Sequence, residues 1–211
     1  MPPPGGSGAV VSAMDSFPAY FPLAGRRVVI AGSGFHAEGK IRLFEGSPAE
    51  VVVIDDGRAF DPETYRGAAL AFVASDDPAF AELAARAARE AGTPLNVVDR
   101  PEMCDFFTPA MVDRGAVVAA VGTGGASPVL AQVLKQQIES RLPEGTGRVA
   151  ALLSQFRAQT RAAFPDMARR RDFIMGVLDG PAADAARAGD METARRLMAE
   201  ALATAPAVPG A

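Results

Sequence analysis

Apolar residues in the first half of the chain fall in short unalternating runs, the pattern of strands buried on both faces of a parallel sheet. Arg27-Val28-Val29-Ile30-Ala31 is the first such run, and it ends in Gly32-Ser33-Gly34. Residues 35–44 then read as a helix, and Glu50-Val51-Val52-Val53-Ile54 as a second strand, which closes one β-α-β unit. The strand signal returns at 70–75. Asp77-Pro78 opens a helix running to about Ala91, with an acidic cap and a proline at the first helical position. Gly92-Thr93-Pro94 turns the chain into Leu95-Asn96-Val97-Val98, a fourth strand that ends at Asp99. This alternation predicts an α/β fold built on a parallel, doubly wound sheet.

Past Pro109 the pattern changes. Residues 116–121 form another apolar strand, followed by the loop Gly122-Thr123-Gly124-Gly125-Ala126-Ser127-Pro128 and a helix over 129–141 that Ser127 caps and Pro128 opens. From Arg148 onward only helical stretches appear, broken near Phe164-Pro165 and Gly180-Pro181. The expected division is a disordered tail at 1–15, a sheet domain at 16–112, a small strand-containing segment at 113–146, a helical domain at 147–204 and a second tail at 205–211. No apolar run approaches the roughly 18 residues that a membrane span requires, so no membrane association is expected.

The turn after the first strand carries the first chemistry. Gly32-Ser33-Gly34-Phe35-His36-Ala37 fits G-x-G-x-x-G/A, in which the first glycine makes the tight turn and the second admits a pyrophosphate. The small residue at Ala37 allows close packing of helix on strand, while amides and the helix dipole hold the phosphates. Asp55 and Asp56 stand at the tip of the second strand, where a carboxylate accepts hydrogen bonds from ribose hydroxyls and repels a 2′-phosphate. This Rossmann-type arrangement predicts NAD as cofactor in preference to NADP, a preference that Arg58 weakens. Only one of the two aspartates is expected to face the ribose; the other simply ends the strand at the solvated rim.

Composition narrows the class further. The 211 residues are 49% hydrophobic, ample for a buried core. A net charge of −4 and a pI near 5.1 argue against a nucleic-acid surface. One cysteine, Cys104, allows no internal disulfide, and without a Cys/His cluster no metal site is expected. The first 14 residues have neither the basic start nor the apolar core of a signal peptide, so the cytoplasm is the expected location.

Several motifs together resemble a known family. Phe21-Pro22-Leu23, the glycine-turn segment 28–40, Asn96-Val97-Val98-Asp99, Phe106-Phe107-Thr108-Pro109-Ala110 and Gly124-Gly125-Ala126-Ser127-Pro128-Val129-Leu130-Ala131 are similar to the precorrin-2 dehydrogenase and sirohydrochlorin ferrochelatase family, the N-terminal module of siroheme synthase. The resemblance spans residues 17–178. It implies a nicotinamide-binding domain, a dimerisation segment (here 113–146) that makes a homodimer, and a helical domain over the tetrapyrrole site. The implied reaction is NAD-dependent oxidation of precorrin-2 to sirohydrochlorin, followed in bifunctional members by insertion of ferrous (or cobalt) ion. A dehydrogenase without chelatase activity is an alternative, as is a non-catalytic module that senses the NAD/NADH ratio.

The resemblance also assigns roles. Asp99 matches the family's catalytic aspartate, and its place at the carboxyl end of a parallel strand suits ligand chemistry, although an aspartate there also suits capping the turn before Pro101. A general base at Asp99 would serve both dehydrogenation and removal of pyrrole protons. Asn96, expected on the same strand face, orients the substrate or satisfies a buried polar group. The loop residues Thr123, Gly124, Gly125 and Ser127 offer amides to an anionic group, and Thr123 matches a serine that can be phosphorylated in siroheme synthase. Arg157 and Arg161, with Arg169-Arg170-Arg171, either meet the substrate's carboxylates or form a solvated face. His36 is expected to line the cofactor phosphates rather than bind metal. Gly39 departs from the family, which commonly carries Arg just before the lysine matched by Lys40.

Overall fold

A computed structural model describes residues 16–204, so the expected tails at 1–15 and 205–211 lie outside the described residues. The described residues form two compact units whose sequence boundary falls between Thr108 and Pro109.

In the first unit β1 (Arg27–Gly32), α1 (Gly34–Arg42), β2 (Glu50–Ile54), α2 (Pro62–Tyr65), β3 (Leu70–Ala74), α3 (Pro78–Glu90) and β4 (Leu95–Val97) follow in order. The four strands form one parallel sheet in the order β2-β1-β3-β4, with Ile30 opposite both Val53 and Phe72. Burial on both faces explains the lack of alternation. Val29, Ala31 and Val73 face one layer with Ala81, Ala84, Ala85 and Ala88 of α3, while Val28, Ile30 and Phe72 face the other with Ala37 of α1. The alanine face of α3 brings that helix close to the sheet. Asp77 caps α3 by accepting from the Ala79 amide at 2.9 Å, with Pro78 at the first turn.

β4 stops at Val97 rather than Asp99, because Asp99 has left-handed backbone (φ 58°) that no strand continues. β3 likewise ends one residue earlier than expected, at Ala74, and α1 two residues earlier, at Arg42.

The second unit opens with an antiparallel hairpin of β5 (Ala110–Asp113) and β6 (Val118–Val121), in which Ala110 pairs with Val121. β5 was not among the predicted elements, and β6 is two residues shorter than the expected strand at 116–121. Residues 114–117 are spent on the turn, where the Arg114 amide donates to Val117 O at 2.9 Å and the Gly115 amide to Asp113 Oδ1 at 2.7 Å. α4 (Pro128–Arg141), α5 (Thr146–Gln155), α6 (Arg157–Ala163), α7 (Met167–Leu178), α8 (Pro181–Ala188) and α9 (Met191–Ala203) follow. Leu152, Ala183, Ala186, Ala194 and Met198 form the helical core. The expected breaks are there: Asp166 caps α7 after Pro165, and Pro181 opens α8. Among the described residues no helix is long and apolar enough to cross a membrane.

Candidate active site

Because all four strands of the first unit are parallel, their carboxyl ends share one edge, and the chemistry predicted there gathers on it. Gly32 ends β1 and is buried, with φ 129°. A Cβ at this position would collide with the carbonyl oxygen of Ala74 on β3. Gly34, by contrast, is exposed, has φ 74° and has open space where a side chain would stand. Ser33 makes no side-chain cap bond, so its hydroxyl leaves the first-turn amides of α1 uncapped. This is the cradle a pyrophosphate requires, and the residues fit that group.

The residues around the turn divide in role. Ala37 is buried against the sheet, whereas Phe35 is 77% exposed. His36 meets Phe35 edge-on and places Nε2 3.4 Å from Asp76 Oδ1, just past β3. Gly39 has open space around its Cα, and nothing in the structure requires glycine there. At the tip of β2 both aspartates are exposed, and Asp56 is engaged by Arg58.

At the end of β4, Asp99 is exposed and is the one non-glycine residue with positive φ among the described residues. Asp and Asn adopt this backbone more readily than other side chains. The turn is tied from below by Cys104. Its Sγ lies 3.2 Å from Val97 O, to which it can donate, and 3.3 Å from Arg100 O, and it accepts from the Val97 amide at 3.2 Å. The Cys104 thiol thus serves as a hydrogen-bonding tie for this turn.

Asn96 stands within β4, whereas Asp99 lies beyond the strand's end in left-handed backbone, so strand alternation does not relate the two. Asn96 is buried, and its Nδ2 donates to Phe106 O at 2.9 Å and to Cys104 Sγ at 3.5 Å. The structure gives it the work of fastening β4 to the segment that follows.

Lys40 is the site residue whose environment sequence reasoning missed. From the last turn of α1 it donates to Thr108 Oγ1 at 3.2 Å, and its ammonium lies 5.2 Å from the centroid of the Phe72 ring. Burial holds its pKa below the usual lysine range, against the opposing pull of Cys104 and Asp99 nearby. The signal was present only as motif, since both Lys40 and Thr108 lie in segments that carried the resemblance. Replacing Lys40 with Met is expected to change stability at neutral pH by no more than about 1 kcal/mol, because an apolar chain of similar length fits beside Phe72. The unfolded chain binds the lysine proton more tightly than the folded protein does. Urea midpoints should therefore show the wild type gaining on Lys40→Met as pH rises from the lowered folded value toward 10.5.

In the second unit the loop before α4 is self-contained. Thr123 Oγ1 accepts from the Ser127 amide at 3.3 Å and lies 3.2 Å from Ser127 O, while Ser127 Oγ accepts from the Leu130 amide at 3.2 Å. Gly124 and Gly125 are exposed at its tip. Arg157 and Arg161 are exposed and four residues apart on α6, hence on one face. Arg170 donates to Phe164 O at 3.1 Å, whereas Arg169 and Arg171 are exposed. Among the described residues no group of three or more His, Cys, Asp or Glu side chains is arranged to hold a metal ion.

Comparison with known proteins agrees with this arrangement. Residues 19–110 match the family described as "Putative NAD(P)-binding", and residues 145–202 match the "Sirohaem synthase dimerisation region". The second description falls on the helices α5 to α9. Siroheme synthase of Azotobacter vinelandii is 38% identical over 210 residues, covering 91% of this chain and 45% of the relative. That of Methylococcus capsulatus is 38% identical over 206 residues, covering 89% of this chain and 44% of the relative. The chain thus spans somewhat less than half the length of these relatives. Among solved structures, a precorrin-2 dehydrogenase, SirC, superposes with a TM-score of 0.69 at 19% identity, covering 88% of this chain and 98% of that one, which shows the shared fold.

Sheet, glycine turn and matched segments define a Rossmann-type NAD(P)-binding protein that carries a helical sirohaem synthase dimerisation region. Within that class the chain is similar to siroheme synthases over most of its own length.

Proposed function

We propose that the chain is an oxidoreductase that oxidises precorrin-2 to sirohydrochlorin, with NAD as hydride acceptor, and that it works as a homodimer. The observation that carries this reading is the placement of Asp99 and the glycine turn on the same carboxyl edge of one parallel sheet. Likeness to siroheme synthases over 91% of the chain supports the substrate, and the match of 145–202 supports the dimer.

Bound NAD would supply the hydride acceptor. The α1 amides and Gly34 would hold its pyrophosphate, and a carboxylate at the tip of β2 its ribose. Asp99 would take the proton lost from the substrate carbon framework as hydride leaves, its carboxylate held outward by the left-handed turn. Lys40, close behind, would favour an anionic partner at this spot. Within the second unit Gly124 and Gly125 expose backbone, and Arg157 and Arg161 expose guanidinium groups, chemistry suited to carboxylates.

Anaerobic incubation with precorrin-2 and NAD tests the reading. Equal amounts of NADH and sirohydrochlorin are expected to appear together in the absorbance spectrum. Binding of NADH without any turnover would instead identify a sensor, and the dehydrogenase reading would fall. Ferrous or cobalt ion added after the oxidation then reports whether the same chain also inserts metal as a second substrate step.

A further inference from the structure

We propose that the Lys40 ammonium and the Thr108 hydroxyl form a binding site for one carboxylate of the substrate, on the Asp99 side of the first unit. The inference rests on the dehydrogenase reading, in which precorrin-2, a polycarboxylate, must approach a carboxylate base.

Lys40 stands in the last turn of α1 and is half-buried. Its platform is fixed. The Phe72 ring, whose centroid lies 5.2 Å from the ammonium, packs edge-on against Phe44 at 5.6 Å and Phe106 at 5.4 Å. An ammonium has three N–H donors and no acceptor. Among the described residues one donor is used, toward Thr108 Oγ1 at 3.2 Å, and no carboxylate is close enough to form an ion pair with Lys40. The Thr108 hydroxyl accepts that bond and, among the described residues, donates to no other group, so its own O–H is available as well.

Packing does not explain the charge. A half-buried ammonium with one neutral acceptor is costly, and an apolar chain of the same length would cover Phe72 as well. The cofactor phosphates do not explain it either. The pyrophosphate cradle is at Gly34, the first residue of α1, about 9 Å back along the helix axis. The ionisable groups that act on Lys40 are instead Cys104 and Asp99, both beyond β4. Asp99 by itself repels a polyanion arriving at this edge, and the neighbouring Arg100 has its Nη1 3.9 Å from Met103 Sδ. Lys40 supplies the opposite charge. A carboxylate held by its N–H groups and the Thr108 O–H makes charge-assisted hydrogen bonds, and Asp99 stays unpaired and able to accept a proton.

Steady-state oxidation of precorrin-2, together with titration of its product sirohydrochlorin, which keeps the same carboxylates, tests the site. Lys40→Met is expected to raise KM by about tenfold or more and to weaken sirohydrochlorin binding by a similar factor, the loss of one charge-assisted hydrogen bond. Its kcat should stay within about threefold of the wild type and its NADH affinity should not change. Thr108→Val should weaken both by about threefold, and the double variant should lose little more than Lys40→Met, because the two groups serve one carboxylate. Lys40→Arg, which keeps the charge, should recover most of the loss. Unchanged KM and sirohydrochlorin affinity in Lys40→Met overturn the proposal. So does a fall in kcat alone, which would make Lys40 a partner of Asp99, or a fall in NADH affinity, which would place it at the cofactor. If Lys40→Met does not fold, Thr108→Val decides, and wild-type KM and sirohydrochlorin affinity in that variant overturn the site equally. A wild type that oxidises precorrin-2 beside an indistinguishable Lys40→Met removes this site and leaves the dehydrogenase reading standing. A wild type that neither oxidises precorrin-2 nor binds sirohydrochlorin removes both.

Discussion

Replacing Asp99 with asparagine is expected to slow precorrin-2 oxidation by about a thousandfold while NADH affinity and melting temperature stay near the wild-type values. Asparagine is the right probe because it shares the tolerance of aspartate for left-handed backbone, so the φ of 58° costs little to keep. The hydrogen bonds that hold the turn come from Cys104 and from the Arg100 amide to Val97 O, not from the Asp99 carboxylate, and the turn should survive. Asp99→Ala would confound the two effects, because alanine at positive φ adds strain of roughly 1 kcal/mol or more. What Asp99→Asn removes is the proton acceptor alone. Single-turnover oxidation followed by NADH absorbance, with calorimetry for NADH binding, checks this. A rate within tenfold of the wild type would show that the base lies elsewhere.

The parts of this site legible from sequence are those set by local rules. A β-branched run buried on both faces, a G-x-G turn and a small residue at Ala37 specify strand, turn and helix within a dozen positions, and the structure builds all three there. The Ser127-Pro128 and Asp77-Pro78 helix starts are equally local. Elsewhere local rules ran out. β5 is four residues long and acquires strand character only by pairing with β6 across the turn at 114–117. The burial of Lys40 depends on Phe72 and on Thr108, 68 residues further along, and no periodicity around Lys40 announces it. Asn96 is a hydrogen-bonded buried polar group, one of its two expected roles, and its partners Phe106 and Cys104 come from a segment with no regular pattern. The pairing of Asp56 with Arg58 is local, an aspartate accepting from the amide two residues on, and it could have been read as an Asx-type turn.

The two glycines of the turn should fail in opposite ways when given a methyl group. Gly32→Ala is expected to destabilise the first unit by about 3 kcal/mol or more, since it combines overpacking with a backbone conformation that side chains avoid. Its new Cβ would strike the Ala74 carbonyl, an atom of β3 held in the middle of the sheet by its register with β1, so neither partner can yield without disturbing strand pairing. Gly34→Ala meets nothing in the protein and bears only the left-handed backbone penalty, roughly 1–2 kcal/mol. Its Cβ would instead enter the open space that the pyrophosphate is read to fill. The first variant should therefore show a much lower urea midpoint, and the second a near-normal midpoint with NADH affinity reduced by about a hundredfold, the loss expected when a phosphate is pushed off two charge-assisted amide bonds. A Gly34→Ala protein that binds NADH as tightly as the wild type would mean that the cofactor does not approach this backbone. The cradle would then owe its glycines to strand packing alone.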